Sequence, residues 1–250
     1  MNQKKSPPNY HWVSTEDGSQ TLFSERFQEA CHSTSGARSE TLLHYIHGCK
    51  IPEKSSAKEM TILEVGFGLG LGFLTTLEVL KNSPHQFHFV SLEIDEGLVR
   101  WFVEEHKTLL QNIQWTELSL KARHENGTLE VLIGDARQIL PPYSSLQWDA
   151  IYQDAFSPKK NPSLWTVEWF ELLKKHSAQD VLMSTYSASS SIRKSMIAAG
   201  WKIHKGEKFG PKRTSTRASL TGETDFDISE HLARSPSPAL TDANMEQYGK

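Results

Sequence analysis

Cysteine is nearly absent from these 250 residues: only Cys31 and Cys49 occur, and they form no C-x-x-C pair. That excludes a disulfide framework and fits a reducing compartment. No run of about 18 apolar residues exists either, so no membrane-spanning helix is expected. The opening "MNQKKSPPNYHW" has two lysines but no apolar stretch behind them. It does not read as a secretory signal, and a cytoplasmic protein is expected. An excess of charge is missing too, with a net value of −3, so no whole-molecule field advertises nucleic-acid binding. With 37% hydrophobic and 23% charged residues, the chain has the composition of one large domain, or of a domain with an accessory element. No internal repeat is visible.

Charge is uneven along the chain. The stretch from Arg193 to Arg217 holds Arg193, Lys194, Lys202, Lys205, Lys208, Lys212, Arg213 and Arg217, with Glu207 as its only acid. Local cation density sets the field at a patch, so a phosphate-binding face is one reading of this run. An ordinary solvated surface is the other.

Residues 1–20 are polar and contain proline, which reads as a loosely held start. A short strand and a helix over about 37–47 follow, and 50–60 reads as a linker. Strands are then predicted at 61–67, 87–94, 128–134, 150–154 and 181–186, and helices at 71–81, 96–109, 163–176 and 189–199. Such alternation builds parallel βαβ units, whose sheet must be covered on both faces. The fold class expected is therefore α/β and Rossmann-like, with a mostly parallel sheet. "WKIHKGEKFG" and "RASLTG" add an antiparallel hairpin at a sheet edge. From about Glu223 the "SPSPALTD" stretch and weak periodicity predict a disordered tail. The expected layout is an N-terminal extension over 1–50, a domain over 51–222 and a tail over 223–250.

The stretch "TILEVGFGLGLGFLTTLEVL" places Gly66, Gly68, Gly70 and Gly72 where a strand hands over to a helix. Glycines there permit a tight turn and close approach of a ligand to the main chain, beside amides that can donate hydrogen bonds. Three acids end neighbouring strands: Glu64, Glu93 and Asp135. An acid on the second strand suits a ribose diol. A dinucleotide and S-adenosylmethionine both meet that pattern. Glu64 beside the loop disfavours a pyrophosphate and favours a ligand with an ammonium group, which points to the methyl donor. The plainer reading of each acid is a helix cap or turn residue.

A second constellation is "WDAIYQDAFSPKKNPSLWT". Asp154 ends an apolar strand one position over from the glycine loop, where it could accept hydrogen bonds from a substrate amine. Lys159 and Lys160 suit phosphates, and Phe156 or Trp165 could stack on a base. A capping acid beside core aromatics is the alternative.

Taken together, "EVGFGLGLGFL", "DAFSPKKNPSLWT" and "FGPKR" resemble the methyltransferase domain of the MnmC-type tRNA modification enzymes. The likeness covers roughly residues 23–222 and extends weakly over "FQEACHSTSGARSE". The Asp154 stretch is long and unusual, so it is specific, whereas the glycine loop is common to class I methyltransferases. The resemblance implies methyl transfer from S-adenosylmethionine to the exocyclic amine of 5-aminomethyl-(2-thio)uridine at the tRNA wobble position. By motif match, Gly66, Gly68 and Gly70 hold the donor's methionine end, Glu93 its ribose and Asp135 its adenine, with Asp154 beside the substrate amine. Lys212 and Arg213, in the basic run, join Lys159 and Lys160 as expected contacts to the anticodon stem-loop. Leu69 and Gly72 depart from the family loop, which carries Thr and Asn there. The family's flavin-dependent oxidase domain has no counterpart here, so a stand-alone methyltransferase without flavin is expected. The alternatives are a small-amine methyl- or aminopropyltransferase of the same fold, and a non-catalytic nucleotide-binding module. His44 with His47, and His85 with His88, lack a third ligand nearby in sequence, so no metal is expected.

Overall fold

The start of the chain is more ordered than its composition suggests. In a computed structural model, which describes residues 5–56, 58–143, 146–209 and 214–248, Tyr10–Ser14 (β1), Gln20–Ser24 (β2) and Glu29–Ala30 (β3) form a small antiparallel sheet. Only a few apolar residues hold it, which is why no periodicity betrays it: Tyr10 and Leu22 are buried against Leu69 and Leu98. Helix α1 (Ala37–Thr41) runs straight into a π-helical turn, Leu42–His47. The expected linker instead contains α2 (Ile51–Ser55), tied down by fully buried Cys49 and Ile51.

From Met60 the predicted alternation appears: β4 (Met60–Val65), α3 (Leu71–Val79), β5 (Phe87–Glu93), α4 (Glu96–His106), β6 (Gln111–Trp115), β7 (Ser119–His124), β8 (Gly127–Ile133), α5 (Ala136–Ile139), β9 (Trp148–Gln153), α6 (Val167–Lys175), β10 (Ser177–Thr185), α7 (Ser190–Ala198), β11 (Lys202–Lys205), β12 (Thr216–Ser219) and α8 (Phe226–Arg234). At some helix starts, side-chain caps supply the missing acceptors. Asp95 accepts from the amides of Gly97 and Leu98 at α4, and Thr166 from that of Trp169 at α6.

Among the described residues the main sheet has nine strands, ordered β11-β12-β10-β9-β4-β5-β8-β7-β6. The central run from β10 to β8 is parallel, and both flanks are antiparallel. The α/β, mostly parallel architecture with a C-terminal edge hairpin is therefore as the sequence predicts. Each face carries its own core. One gathers Trp148, Trp165, Trp169 and Trp201; the other gathers Tyr45, Phe73, Phe89, Phe102 and Tyr152. The chain leaves β4 toward β5 on one side and returns through β9 on the other, so the strand order reverses at β4. Ligands in such sheets bind outside the carboxyl ends of the strands at that point.

The segment after residue 223 corrects the expectation of disorder. Ile228 and Leu232 of α8, one helical turn apart, are buried together with Leu240 in the tryptophan-rich core. The amide of Val167 donates to the carbonyl of Leu240, and Arg137 pairs with Asp242. Both cysteines are free. Among the described residues no helix is long and apolar enough to cross a membrane, and no cluster of His, Cys, Asp and Glu is placed to hold a metal ion.

Candidate active site

A cavity of about 420 Å3 opens at the carboxyl ends of β4, β5, β8 and β9, a size suited to a small molecule or cofactor. Its floor includes Gly66 and Gly68 from the turn after β4, Glu93 and Ile94 from the end of β5, Gly134 and Asp135 after β8, and Asp154 to Phe156 after β9. The small N-terminal sheet supplies the other wall through Tyr10, Phe27, Glu29, Cys31 and His32. Two ties fasten that wall to the Asp154 loop. Phe27 stacks on Phe156 with ring centroids 4.4 Å apart, and Glu29 accepts the amide of Ser157 at 2.9 Å.

The glycine turn fits the cavity by necessity. Gly66 sits at φ +97, and a Cβ there would fall 2.7 Å from the carbonyl oxygen of Asp154. Gly68 lies at φ +52, and a Cβ there would meet only His32 and Cys31 of the cavity wall, at 3.8 and 3.9 Å. Gly70, assigned to the same role from sequence, does not line the cavity. A side chain there would strike the ring of Phe102 at 2.4 Å, so its smallness serves helix packing.

The acids divide likewise. Glu93 accepts the amides of Ile94 and Asp95 at 2.9 Å through one oxygen and that of Gly68 at 3.1 Å through the other. It thereby ties β5 to the glycine turn. Burial pushes its pKa above the usual carboxylate value, opposed by those amides. Asp135 caps α5 by accepting the amide of Arg137 at 3.0 Å and lines the cavity as well. Glu64 is the exception. It is buried behind the turn and bonded to Ser91 at 2.7 Å, outside the cavity lining. Burial drives its pKa well above the ordinary range. Glu64 therefore does not meet a ligand in this cavity, and other carboxylates face it instead. Among the described residues, Glu29, Glu40, Glu93, Asp135 and Asp154 line the cavity together with one guanidinium, Arg26.

Glu64 also accounts for Gly72. A Cβ on Gly72 would sit 1.8 Å from the Glu64 carboxyl oxygen, so any side chain must push Glu64 off Ser91. Losing that buried hydrogen bond costs about 1–3 kcal/mol. Gly72→Ala is expected to lower the melting temperature by roughly 2–10 °C, and thermal unfolding of the variant checks this. An unchanged melting point would mean that Glu64 moves aside freely.

Tyr45 was missed from sequence. Its hydroxyl donates to Asp154 at 2.5 Å, across 109 residues of chain. Tyr186, whose hydroxyl bonds the carbonyl of Ala155 at 2.9 Å, also lines the cavity unpredicted. His32 was missed as well; burial lowers its pKa to about 4, which keeps it neutral in that wall.

The basic run does not form one face. Arg193 is buried, with its guanidinium on Thr216 and the carbonyl of Ser215 at 2.9 Å. Lys194 bonds the carbonyl of Ser235 and Arg217 that of Lys205. Arg193 is thus neither a free phosphate contact nor a solvated surface group, and Lys194 and Arg217, half-buried, tie the C-terminal hairpin and tail. Lys212 and Arg213 lie outside the described residues. Lys159 and Lys160 are exposed in the turn that leads into Asn161, a cavity residue.

Comparison with known proteins places this geometry. Residues 100–221 match a family described as S-adenosyl-L-methionine-dependent methyltransferase. The chain is 32% identical over 224 residues to the tRNA 5-methylaminomethyl-2-thiouridine biosynthesis bifunctional protein MnmC of Azoarcus sp., covering 83% of this chain and 35% of that protein. The protein of the same name from Cupriavidus metallidurans is 33% identical over 221 residues, with 79% and 32% covered. The crystal structure of MNMC2 from Aquifex aeolicus superposes with a TM-score of 0.77 at 29% identity, covering 95% of this chain and 80% of that one. The chain belongs to the MnmC-type methyltransferase domains.

This MnmC-type domain spans about a third of the length of the curated relatives it matches. Spermidine synthase from Thermotoga maritima shares its fold alone, at a TM-score of 0.53 and 10% identity. S-adenosylmethionine fits the residues present. Gly66 and Gly68 bring main chain to the cavity, Glu93 and Asp135 stand at successive strand ends, and the acidic lining suits a ligand carrying positive charge.

Proposed function

We propose that this domain methylates the exocyclic primary amine of 5-aminomethyl-(2-thio)uridine at the tRNA wobble position, giving the 5-methylaminomethyl nucleoside. Asp154 carries the reading: it lines the donor cavity, next to the aromatic Phe156 and within an acidic wall that suits an amine. When bound, S-adenosylmethionine supplies a methyl group already activated by its sulfonium. The protein's own residues therefore supply position and electrostatics. We assign Gly66, Gly68, Glu93 and Asp135 to holding the donor. Asp154 accepts a hydrogen bond from the amine and orients its lone pair. It then takes up, or passes on, the proton released after transfer. Phe27 and Phe156, stacked at the cavity, suit a planar base better than an aliphatic polyamine. Lys159 and Lys160, with Lys212 and Arg213, are assigned to phosphates of the anticodon stem-loop.

The amine must be neutral to attack, and its pKa of about 10 leaves roughly 0.1% neutral at pH 7. Asp154 stabilises the ammonium form and deepens that deficit. The rate is therefore expected to rise close to tenfold per pH unit from about 7 to 9. A single-turnover pH profile that is flat over this range would show that a step other than amine attack limits the rate.

Each phosphate contact contributes about 0.7–0.9 to the dependence of log affinity on log salt. Replacing Lys159 and Lys160 together with alanine is expected to weaken tRNA binding and reduce that slope by roughly 1.5. Lys212 with Arg213 is expected to behave in the same way. An unchanged slope in either pair removes that pair from the interface.

The reaction itself is tested with methyl-labelled S-adenosylmethionine and tRNA from cells unable to complete this modification, followed by nucleoside mass analysis. Conversion of the aminomethyl to the methylaminomethyl nucleoside supports the reading. Label appearing only in small polyamines would move the activity to the other amine class.

A further inference from the structure

The π-helical turn Leu42–His47 lies outside the nucleotide-binding core, yet it delivers a side chain to the reacting end of the cavity. Tyr45 is 1% exposed, stacks on Tyr152 with centroids 5.4 Å apart, and donates its hydroxyl to Oδ1 of Asp154. The turn is locked from behind. Ser184 donates to the carbonyl of His44 at 2.5 Å, and Gly48 packs so closely that a Cβ would meet that same carbonyl at 1.9 Å. A π turn widens the helix by one residue and is costly to keep, which is why such turns concentrate at functional sites. Here it aims Tyr45 across the sheet end at an acid 109 residues away.

Asp154 is itself anchored through its main chain. Its backbone is fixed, since its amide donates to the carbonyl of Val65 at 3.1 Å and its own carbonyl crosses Gly66. Among the described residues, the charged groups that face it or its ring neighbours include the acids Glu29, Glu40 and Glu64. Their repulsion disfavours a second carboxylate pointing the same way. Burial and the adjacent Asp154 and Glu40 push the Tyr45 pKa well above the usual phenol value. The hydroxyl thus keeps its proton and serves as a donor to the acid.

We propose that Tyr45 is a positioning residue whose hydroxyl holds Asp154 ionised and turned toward the cavity, ready for the substrate amine. The last clause rests on the reaction proposed above; the orientation of Asp154 does not. Tyr45→Phe removes the hydroxyl and keeps the ring on Tyr152, so the fold is retained. A hydrogen bond to a charged group lost in this way is expected to lower kcat about 10- to 100-fold. Donor affinity should change less than about twofold, since the hydroxyl bonds Asp154 rather than the glycine turn.

Two readouts separate this role from packing. Carboxyl-13C NMR of labelled aspartate, with Asp154 assigned through Asp154→Asn, should show its titration midpoint moving up in Tyr45→Phe. In an Asp154→Asn background, Tyr45→Phe should change kcat less than about threefold, because the two groups act as one unit. A midpoint that stays in place overturns the proposal, as do independent, multiplying losses. Wild-type protein that transfers no methyl group to the tRNA counts against the proposed reaction instead, and the titration still decides the role of Tyr45.

Discussion

Replacing Asp154 with asparagine is expected to lower the methyl-transfer rate about 10²- to 10⁴-fold, the range for losing a positioned proton-handling group. Two opposing effects enter. The carboxylate stabilises the ammonium form of the substrate, so removing it raises the neutral fraction. One pKa unit of such relief returns about tenfold at fixed pH. That gain is smaller than the loss of a group that orients the lone pair and receives the proton, so the net effect is a decrease. The residual activity should also gain its neutral amine at lower pH than the wild type. Asparagine keeps the side-chain volume, and the donor contacts assigned to Gly66, Gly68, Glu93 and Asp135 are untouched. Donor affinity by calorimetry should therefore stay within about threefold, whereas single-turnover rates collapse. Loss of donor binding would place Asp154 in the donor site and remove it from the amine's.

The distribution of charge reconciles an acidic cavity with an anionic substrate. Carboxylates line the interior, where an amine and a sulfonium would enter, while Lys159 and Lys160 stand exposed in the adjoining turn. Phosphates are thereby met outside and the amine inside, as the proposed reaction requires. The same division disfavours a free polyamine less clearly than a basic C-terminal face would have done, because Arg193 of that run is buried and Lys194 and Arg217 are bonded to carbonyls of the fold. Arg193, Lys194 and Arg217 spend their charges on carbonyls and hydroxyls of the hairpin and tail.

The parallel centre of the sheet was legible because strands buried on both faces must read as apolar runs: "TILEV", "FHFVSLE" and "WDAIYQ" leave little choice. The flanking β6 and β7 were not predicted. "QNIQW" is largely exposed and "SLKARH" buries only Ser119, Leu120 and Ala122, two of them small, so each presents a weak signal. The tail hid for a similar reason, since Ile228, Leu232 and Leu240 are few and widely spaced but all buried. At the site, strand-end acids could be read from position, yet position does not give direction. Glu64 and Glu93 both end a strand, but one faces Ser91 behind the turn and the other faces the cavity. Tyr45 lay beyond reach of local reading. Within "LLHYIHG" it looks like any core aromatic, and only the long-range fold brings it to Asp154.

A pair of glycine substitutions should separate the architectural from the ligand-facing part of the turn. Gly66→Ala must place a Cβ 2.7 Å from the carbonyl oxygen and 3.2 Å from the carbonyl carbon of Asp154, both backbone atoms that cannot rotate away. Its left-handed backbone adds about 1–2 kcal/mol for any residue with a Cβ. Forcing the two strand ends apart adds about 1–3 kcal/mol more. The sum predicts a melting temperature lowered by roughly 5–20 °C, with turnover lost because the displaced backbone carries Asp154. Gly68→Ala bears the left-handed cost alone, since the nearest atom to its Cβ is 3.8 Å away on His32. Its melting point should fall by roughly 2–8 °C. That Cβ, however, would project toward the His32 and Cys31 side of the cavity assigned to the donor. Donor affinity should then drop at least tenfold, while the single-turnover rate at saturating donor recovers most of the wild-type value. Calorimetry and thermal unfolding on the two variants decide the matter. Equal melting points would mean that the Gly66–Asp154 crossing is not tight, and unchanged donor affinity in Gly68→Ala would move the donor away from this turn.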